Sequence, residues 1–364
     1  MKITFITDPL VTTEGAVRPS LLLAKEFTKN GHEVTFVSPQ IDQGIAESLQ
    51  KKGFHCRRIG SNFSLIPSIP TFDAWARQVI QQKAIKRISD ADFVVNTSSC
   101  VITPANAYYA QGPMVRTLRD ISHNMPAHYQ YAYKLFARPF DALENRLIRR
   151  FRRFSRVFVA NSAFCASMYE DLDLLVDIII YPPLDCTLFK PSTEKPSADY
   201  VLTHLGIYGK EGDFQILKAI ADAGVQVKVF GRTSFMPGFL KGHKNLHFLG
   251  RVSDRELVEL YSNALYTLFA FSHEPFGYIP VESMACGTPV VTYDKQGPSE
   301  TVVHLKTGWQ EHTDQQLVRR ALNLWKSEYP SRLRTECRSR ALTFDTRRIV
   351  EKWFAVLNVQ KASE

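Results

Sequence analysis

Short apolar runs alternate with stretches of helical period along most of the chain. Residues 2–7 form an apolar run, residues 8–16 a turn-rich loop, and residues 19–29 a helical pattern that ends at Asn30-Gly31. A second apolar run follows at residues 32–37. Apolar runs of this length predict buried strands, and strand–helix–strand units predict parallel pairs joined by right-handed crossovers.

The same alternation continues through the rest of the chain. Repeated strand–helix units of this kind predict the α/β class, with doubly wound parallel sheets. Further strands are predicted at residues 91–96, 157–160, 178–181, 200–205, 225–231, 245–250, 264–271 and 290–293. Further helices are predicted at residues 214–223, 254–263, 279–285, 319–326, 330–342 and 345–359.

The length and one proline-rich exit predict two domains. A chain of 364 residues is long for one domain and comfortable for two of average size. Pro182-Pro183 stops a strand, and a polar stretch follows at residues 191–196. We therefore predict an N-terminal domain over residues 1–185, a second domain over 196–344, and a closing helix within 345–364.

The composition is that of an ordinary soluble globular protein, with 45% hydrophobic and 22% charged residues. The six cysteines are scattered without a Cys-x-x-Cys pair, which argues against a zinc site or a disulfide framework and fits a reducing cytoplasm. The predicted strand at the N-terminus is too short and too polar to be the hydrophobic region of a signal peptide. No apolar run approaches the length of a membrane span. We therefore expect a cytoplasmic protein.

Most of the net charge of +9 falls in one segment. Between Met114 and Arg156 there are ten Lys or Arg residues and three acidic ones. From Tyr129 to Arg156 the apolar positions have helical spacing, and Pro139 should kink or divide that helix. One interpretation is a helix that docks on an anionic membrane surface, and the other is a core helix with a solvated basic face. No nucleic-acid recognition module accompanies the charge, so nucleic acid is not an expected partner.

The stretch that carries candidate chemistry contains two carboxylates, Glu274 and Glu282, with seven residues between them. The predicted strand at 264–271 precedes this stretch and the predicted helix at 279–285 follows it. Glu274 should therefore lie in a loop at the carboxyl end of a strand, and Glu282 in the first turn of the next helix. In open α/β sheets this edge binds ligands, and helix N-termini there supply N–H donors to anionic groups.

These residues and their context resemble the retaining glycosyltransferases of family four, the group 1 glycosyl transferases. Phe276-Gly277 follow the first glutamate, and Ala285-Cys286-Gly287-Thr288-Pro289 follow the second. The likeness continues through Gly297-Pro298-Ser299-Glu300 and Thr307-Gly308. The resemblance implies the GT-B fold, with two Rossmann-like domains facing each other across a cleft and a C-terminal helix that crosses back to the N-terminal domain.

The resemblance also implies an activity. Such an enzyme moves a sugar from a nucleotide diphosphate sugar, UDP- or GDP-linked, to a glycan- or lipid-linked acceptor, with retention and without a metal or other cofactor. The N-terminal domain would hold the acceptor and the second domain the donor. Together with the basic helix, this places the protein in the cytoplasm, peripherally on the inner face of a membrane.

The resemblance assigns roles on the donor side. Glu274 should face the donor sugar, and Glu282 the nucleotide ribose, because a carboxylate accepts two hydroxyl hydrogens at once. Lys210 matches the lysine that grips the diphosphate, whereas Ile207 stands about where the family has an arginine; Arg232 could supply that charge. The remaining donor-binding residues are expected to be Phe276, Gly277, Tyr278, Gly297 and Ser299, the last two through backbone N–H groups.

On the N-terminal side two residues are expected near the donor. Gly15 lets the first loop approach a phosphate closely. Gln111 stands near the place where many family members carry a histidine that touches the donor sugar; an amide can bind a hydroxyl there but cannot act as a base. His123 and His128 are the substitutes that the sequence offers for that histidine.

Several alternatives stay open. Asp90-Ala91-Asp92 and Asp171-Leu172-Asp173 mimic the metal-binding motif of glycosyltransferases of the other main fold, but one precedes a strand and the other lies in a polar run after a helix, so no metal site is expected. Two carboxylates can also perform glycoside hydrolysis, and nucleotide-sugar 2-epimerases share the fold. The non-enzymatic alternative is a catalytically decayed GT-B protein that binds sugar nucleotides or acts as a scaffold.

Overall fold

The computed structural model describes residues 1–13, 15–59, 70–122, 125, 127–206, 214–232, 236–327 and 329–361. The chain divides into two compact units. The first unit comprises Met1–Thr117, Lys134–Pro183 and Thr346–Glu364, and the second comprises Leu118–Tyr133 and Leu184–Asp345. The grouping of Leu118–Tyr133 with the second unit is a feature that the sequence did not indicate.

The first unit is built on a parallel sheet of seven strands in the order β3-β2-β1-β4-β5-β6-β7. The strands are β1 (Lys2–Ile6), β2 (Glu33–Ser38), β3 (His55–Arg58), β4 (Phe93–Asn96), β5 (Ala105–Ala110), β6 (Ser155–Ala160) and β7 (Ile178–Ile179). The helices of this unit are α1 (Arg18–Lys29), α2 (Gln43–Lys51), α3 (Pro70–Gln81), α6 (Ala163–Glu170) and the closing helix, α13 (Thr346–Lys361). The helices α4 (Met114–Ile121) and α5 (Ala127–Phe154) are divided between the two units, since Leu118–Tyr133 belongs to the second.

Aromatic side chains from strands and helices form the core of the first unit. The ring of Phe5 stacks on those of Phe27 and Phe36, at centroid distances of 6.0 and 5.8 Å. The closing helix, α13 (Thr346–Lys361), joins the same core, because Trp353 packs edge-on against Tyr109 at 5.3 Å. The C-terminal helix therefore packs on the N-terminal unit, as the expected fold requires.

The second unit contains a parallel sheet of six strands in the order β10-β9-β8-β11-β12-β13. The strands are β8 (Val201–Leu205), β9 (Val227–Gly231), β10 (Leu246–Gly250), β11 (Thr267–Phe269), β12 (Val290–Tyr293) and β13 (Gly308–Glu311). The helices are α7 (Phe214–Asp222), α8 (Asp254–Asn263), α9 (Tyr278–Ala285), α10 (Gln296–Thr301), α11 (Asp314–Lys326) and α12 (Arg332–Ala341). Both sheets have the doubly wound, Rossmann-like arrangement that the alternation of elements predicted.

Two boundary predictions were wrong, and of the two effects predicted for Pro139, a kink or a division, the division is not observed. The apolar run at 264–271 pairs as a strand only over Thr267–Phe269, because Ala264 instead ends α8. Helix α5 continues through Pro139 and is not divided there; on its C-terminal side Phe140 stacks on Trp75 and Phe151 is buried, and this packing outweighs the missing hydrogen bond. Glu282 is the fifth residue of α9 and lies in its second turn, not its first.

Candidate active site

The geometry of the second sheet places a ligand-binding edge beside the two glutamates. After β8 the chain adds β9 and β10 on one side of the sheet, and then adds β11 to β13 on the other side. The strand order thus reverses between β8 and β11, whose carboxyl ends are neighbours. Ligands of doubly wound sheets bind at this kind of switch point, and the loop that leaves β11 carries Glu274.

The carboxylate of Glu274 lies at the N-terminus of α9. Its Oε1 accepts a hydrogen bond from Gly277 N at 3.0 Å and a longer one from Phe276 N at 3.4 Å. Gly277 is the N-cap residue of α9, so the negative group stands where the helix dipole is positive. The side chain of Glu274 is half-buried. The structure thus brings Glu274, Phe276 and Gly277 together as the sequence predicted.

The residues after Glu274 shape the start of α9. Gly277 has a φ of +96°, which an L side chain rarely adopts, and an added Cβ would lie 3.3 Å from Pro298 Cγ. Phe276 is buried and packs edge-on against Tyr278 at 5.3 Å and against Phe344 at 5.6 Å. Phe276 therefore anchors the loop in the core of the second unit, and Tyr278 lies at its partly exposed edge.

Gly297 and Ser299 lie beside this loop at the start of α10. Gly297 N donates a hydrogen bond to the carbonyl oxygen of Glu274 at 3.0 Å, and Ser299 Oγ donates to the carbonyl oxygen of Gln296 at 2.7 Å. A Cβ on Gly297 would lie 2.4 Å from Pro275 O, so only glycine fits there. In this structure the two groups thus order the site internally, and their contact with a donor remains a prediction.

Glu282, in the second turn of α9, is buried, with 4% of its surface exposed. Its Oε2 accepts a hydrogen bond from the hydroxyl of Tyr261 on α8 at 3.1 Å. A buried carboxylate is costly unless hydrogen bonds compensate it, and the Tyr261 hydroxyl supplies one such bond. Tyr261, which the sequence analysis did not single out, packs edge-on against Phe230 at the end of β9.

Arg232 lies at the same edge of the sheet, directly after β9. Its N–H donates to Leu205 O at 3.0 Å, and its side chain is exposed. Gly231 permits this close approach, because a Cβ there would lie 2.3 Å from Leu205 O. Lys210 and Ile207 fall outside the described residues, so their predicted places stay untested.

The first unit brings Gly15 and Gln111 close to each other. Gly15 has a φ of +63° and open space around it, and the next residue, Ala16, accepts a hydrogen bond from Gln111 Nε2 at 2.9 Å. Gln111 Nε2 also approaches Thr97 O at 3.4 Å. The amide therefore holds the first loop to the end of β4. His123 and the side chain of His128 lie outside the described part of the chain.

The same edge of the first sheet contains a buried carboxylate that the sequence gave no reason to select. Asp8 Oδ1 accepts hydrogen bonds from Ser98 Oγ and Ser99 N, both at 2.8 Å. Burial raises the pKa of Asp8 above its ordinary value of 3.8, although these donors oppose the shift. Asp8 thus joins the loops that follow β1 and β4.

A histidine next to Glu274 was also missed. His273 is buried, and its Nδ1 lies 2.8 Å from Asp120 Oδ2. Asp120 belongs to the segment Leu118–Tyr133, which is part of the second unit. The sequence separation of these two residues hid their pairing, which only the fold brings about.

The two Asp-x-Asp sequences make ordinary structural contacts. Asp92 accepts a hydrogen bond from Lys2 N at 2.7 Å, and Asp90 pairs with Arg57 at 3.0 Å. Asp171 lies 3.7 Å from Arg116. Among the residues that the structure describes, no three His, Cys, Asp or Glu side chains are grouped as a metal site would need.

Helix α5 has two different halves. In the C-terminal half Leu147, Ile148 and Phe151 are buried, and Arg152 pairs with Asp177 at 3.1 Å. This half is a core helix. In the N-terminal half Tyr131, Leu135 and Phe136 are 75%, 65% and 53% exposed, with exposed Lys134 and Arg138 among them. We call Lys134, Leu135, Phe136 and Arg138, which all belong to the first unit, the α5 patch. No described helix has the length and apolarity needed to cross a bilayer.

Two family models match most of the chain. The model "Glycosyltransferase Family 4" matches residues 13–187, and the model "Glycosyl transferases group 1" matches residues 214–342. The first match covers most of the first unit, and the second covers most of the described elements of the second unit, including Glu274 and Glu282.

A relative found by sequence matches only part of the chain, whereas solved structures match its fold over nearly the whole length. The α-1,3/1,6-mannosyltransferase ALG2 of Eremothecium gossypii is 34% identical over 146 residues, which is 35% of this chain but only 28% of that protein. Anabaena Alr3699/HepE, solved in complex with UDP, has a TM-score of 0.72 at 17% identity, covering 99% of this chain and 100% of that one. WaaG, a glycosyltransferase involved in lipopolysaccharide biosynthesis, has a TM-score of 0.66 at 17% identity, covering 96% and 98%. The shared architecture is the GT-B fold.

Proposed function

The chain belongs to the family-four, group 1 glycosyltransferases, and from that premise we propose that it moves a sugar from a nucleotide diphosphate sugar to a glycan- or lipid-linked acceptor. The observation that carries the proposal is the pair of glutamates at the switch point of the second unit. The Glu274 carboxylate lies at the N-terminus of α9, where it accepts a hydrogen bond from Gly277 N. Glu282 is buried in the same helix and accepts a hydrogen bond from the Tyr261 hydroxyl. We further propose retention of configuration and independence of metal ions.

The chemistry that these residues would perform follows from charge. A nucleotide diphosphate is a good leaving group when donors stabilise the charge that develops on it. Without a metal, those donors would be the exposed guanidinium of Arg232, Lys210, and backbone N–H groups at helix N-termini. Glu274, half-buried in the loop, would bind the donor sugar and favour positive charge at its reacting carbon. Glu282 would accept the ribose hydroxyl hydrogens.

The arrangement of the glutamates disfavours glycoside hydrolysis. A hydrolase places two carboxylates on opposite sides of one scissile bond, as acid and as nucleophile or base. Here Glu282 is 4% exposed and bound to Tyr261, whereas Glu274 lies in the partly exposed loop. Different environments of this kind suit different ligand groups rather than one bond.

The relatives bear on the transferred sugar and on the nucleotide of the donor. The ALG2 relative is by name a mannosyltransferase, and the HepE structure contains UDP. The experiment below includes both UDP- and GDP-linked sugars, the two donor classes that we propose. A lipid-linked acceptor is supported by WaaG, which is a glycosyltransferase involved in lipopolysaccharide biosynthesis, and by the α5 patch.

The test of the activity is donor turnover. Wild type, Glu274→Ala and a control, Arg255→Ala at an exposed position of α8, are incubated with UDP- and GDP-sugars in EDTA, with and without a lipid extract as acceptor. We expect one donor to release its nucleotide diphosphate faster with acceptor, and Glu274→Ala to lower the rate about 10²-fold or more. Binding of a nucleotide without turnover of any donor would favour the decayed scaffold instead. The anomeric configuration of the product, read by NMR, decides retention.

We also propose that the protein works on an anionic membrane surface through the α5 patch. Leu135 and Arg138 lie three residues apart in α5, so they share one face of the helix. Exposed apolar side chains flanked by cations suit the boundary between lipid headgroups and acyl chains. This confines the earlier, broader interpretation of residues 129–156 to the first turns of the helix, since the rest is core. The protein would then be cytoplasmic and peripheral.

Vesicle co-sedimentation tests the patch. We expect wild type to bind phosphatidylglycerol-containing vesicles better than pure phosphatidylcholine, and Leu135→Asp or Lys134→Glu to abolish the difference. Leu175→Asp, at a leucine that is 77% exposed elsewhere in the first unit, is the matched control and should bind as wild type does. High salt should weaken binding. Equal binding of wild type and Leu135→Asp would refute the patch, and would leave a protein partner as its other occupant.

A further inference from the structure

Gln296, the first residue of α10, has an unusual backbone conformation. Its φ of +56° lies in the left-handed region, which is unfavourable for a residue with a Cβ. Among the described residues four other non-glycine positions share a positive φ, namely Gln82, Asp173, Ala198 and Leu305. Of these five, Gln296 is the one whose side chain bonds to the loop of Glu274. Strained conformations persist where the surrounding structure holds them, and they cluster at functional sites.

The side-chain amide of Gln296 grips the main chain of that loop at two points. Its Oε1 accepts a hydrogen bond from Glu274 N at 2.6 Å, and its Nε2 donates to Ser272 O at 3.2 Å. A carboxamide has one acceptor and one donor end, which both bonds require. Glutamate could accept from Glu274 N but could not donate to Ser272 O. The residue type is therefore matched to the task.

The neighbouring backbone completes the clamp. Gly297 N donates to Glu274 O at 3.0 Å, so both the N–H and the carbonyl of Glu274 are bound by residues 296 and 297. The Glu274 carboxylate, in turn, accepts a hydrogen bond from Gly277 N at the start of α9. Main chain and side chain of Glu274 are thus fixed independently, one by the start of α10 and the other by the start of α9.

From this geometry we propose that Gln296 is the positioning residue for Glu274. The inference rests on the proposed function, in which Glu274 faces the donor sugar. A displacement of about 1 Å at a reacting group can cost about 10²-fold in rate, so the grip on residues 272–274 matters for turnover. Gln296 itself need not touch the donor. Its contribution is to hold the backbone of residues 272–274 in place through its side-chain amide, although its own left-handed backbone is one that glycine would adopt more easily.

The test uses Gln296→Gly, which relieves the backbone and removes both side-chain bonds. We expect its melting temperature to equal or exceed that of wild type, its kcat to fall about 10- to 100-fold, and its KM for the donor to change by less than about threefold. Gln296→Glu, which keeps the acceptor and loses the donor, should fall between the two. Leu305→Gly, which relieves a φ of +61° at an exposed site, is the matched control and should keep wild-type kcat.

A double variant separates this inference from its premise. Because Gln296 acts through Glu274, Gln296→Gly should lower kcat little further in a Glu274→Ala background. Full activity of Glu274→Ala would overturn the premise and with it the proposed function of the site. If Glu274→Ala loses activity while Gln296→Gly turns over as wild type does, the proposed function stands and the positioning role of Gln296 is refuted.

Discussion

The hydroxyl of Tyr261 donates a hydrogen bond to Oε2 of Glu282 at 3.1 Å, and both side chains are buried in the second unit. The bond joins α8 to the next helix, α9, across 21 positions of sequence. It compensates part of the cost of burying a carboxylate, and it fixes the direction in which that carboxylate faces. The role that we propose for Glu282, binding the nucleotide ribose, depends on that direction.

The first prediction removes this donor. Tyr261→Phe should weaken nucleotide diphosphate binding by about 1–3 kcal/mol, because Glu282 loses one of its hydrogen bonds. Isothermal titration measures the affinity. Tyr266→Phe is the control, since the buried Tyr266 hydroxyl donates to Ala321 O at 2.8 Å in the same unit. It should cost stability without changing affinity. Equal affinity in Tyr261→Phe and wild type would contradict the coupling.

The second prediction concerns the contact between the starts of α9 and α10. Gly297→Ala would place a methyl group 2.4 Å from Pro275 O and 2.5 Å from Phe276 N, so the loop that carries Glu274 must move. We expect donor turnover to fall about 10²-fold. Gly238→Ala, where an added Cβ meets nothing within 4 Å, should turn over normally. The expectation fails if both variants keep the wild-type rate.

The third prediction concerns a buried carboxylate in the first unit. Glu144 accepts hydrogen bonds from Trp75 Nε1 at 3.0 Å and from Met114 N and Val115 N at 2.8 Å. Burial raises the pKa of Glu144 from 4.5 to about 7. Between these values the folded protein holds a proton that the unfolded chain has released, so stability falls as pH rises.

The raised pKa of Glu144 should lower the free energy of unfolding by about 3 kcal/mol between pH 4.5 and pH 7. In Glu144→Gln this decrease is absent, so wild type should lose that much stability relative to the variant as the pH rises through this window. Urea denaturation followed by tryptophan fluorescence measures the difference at several pH values. Glu170→Gln, which removes an exposed carboxylate of the same unit, should track wild type. Parallel pH profiles for wild type and Glu144→Gln would refute the raised pKa.

The fold was largely predictable because its signals are local. Apolar runs and helix ends marked most of the strands of both sheets, and Val290–Tyr293 was placed at its observed bounds, but the outer strands β3 and β13 were not predicted. The boundaries that failed are those where packing overrides a local rule. Pro139 does not divide α5, because the residues that follow it are held in the core, and the residues before β11 end a helix instead of extending a strand.

The site was predictable only in part. Glu274, Phe276 and Gly277 meet because they are neighbours in the sequence, and their motif identified the family. Gln296, Tyr261 and the His273–Asp120 pair were missed because each depends on contacts between distant segments. The left-handed backbone of Gln296 has no sequence signal, since glutamine rarely adopts it. Lys210 lies outside the described residues, and its role stays a prediction.

The central claim, that the second unit binds a nucleotide through Glu282, is tested most directly by thermal shift with uridine, guanosine and adenosine diphosphates in EDTA. A ligand that binds the native state raises the melting temperature by mass action. We expect one nucleotide to stabilise wild type and the exposed control Glu259→Gln equally, and to leave Glu282→Ala unshifted. The account of this site is wrong if no nucleotide raises the melting temperature of wild type at concentrations well above typical dissociation constants. It is also wrong if the melting temperature of Glu282→Ala rises as much as that of wild type.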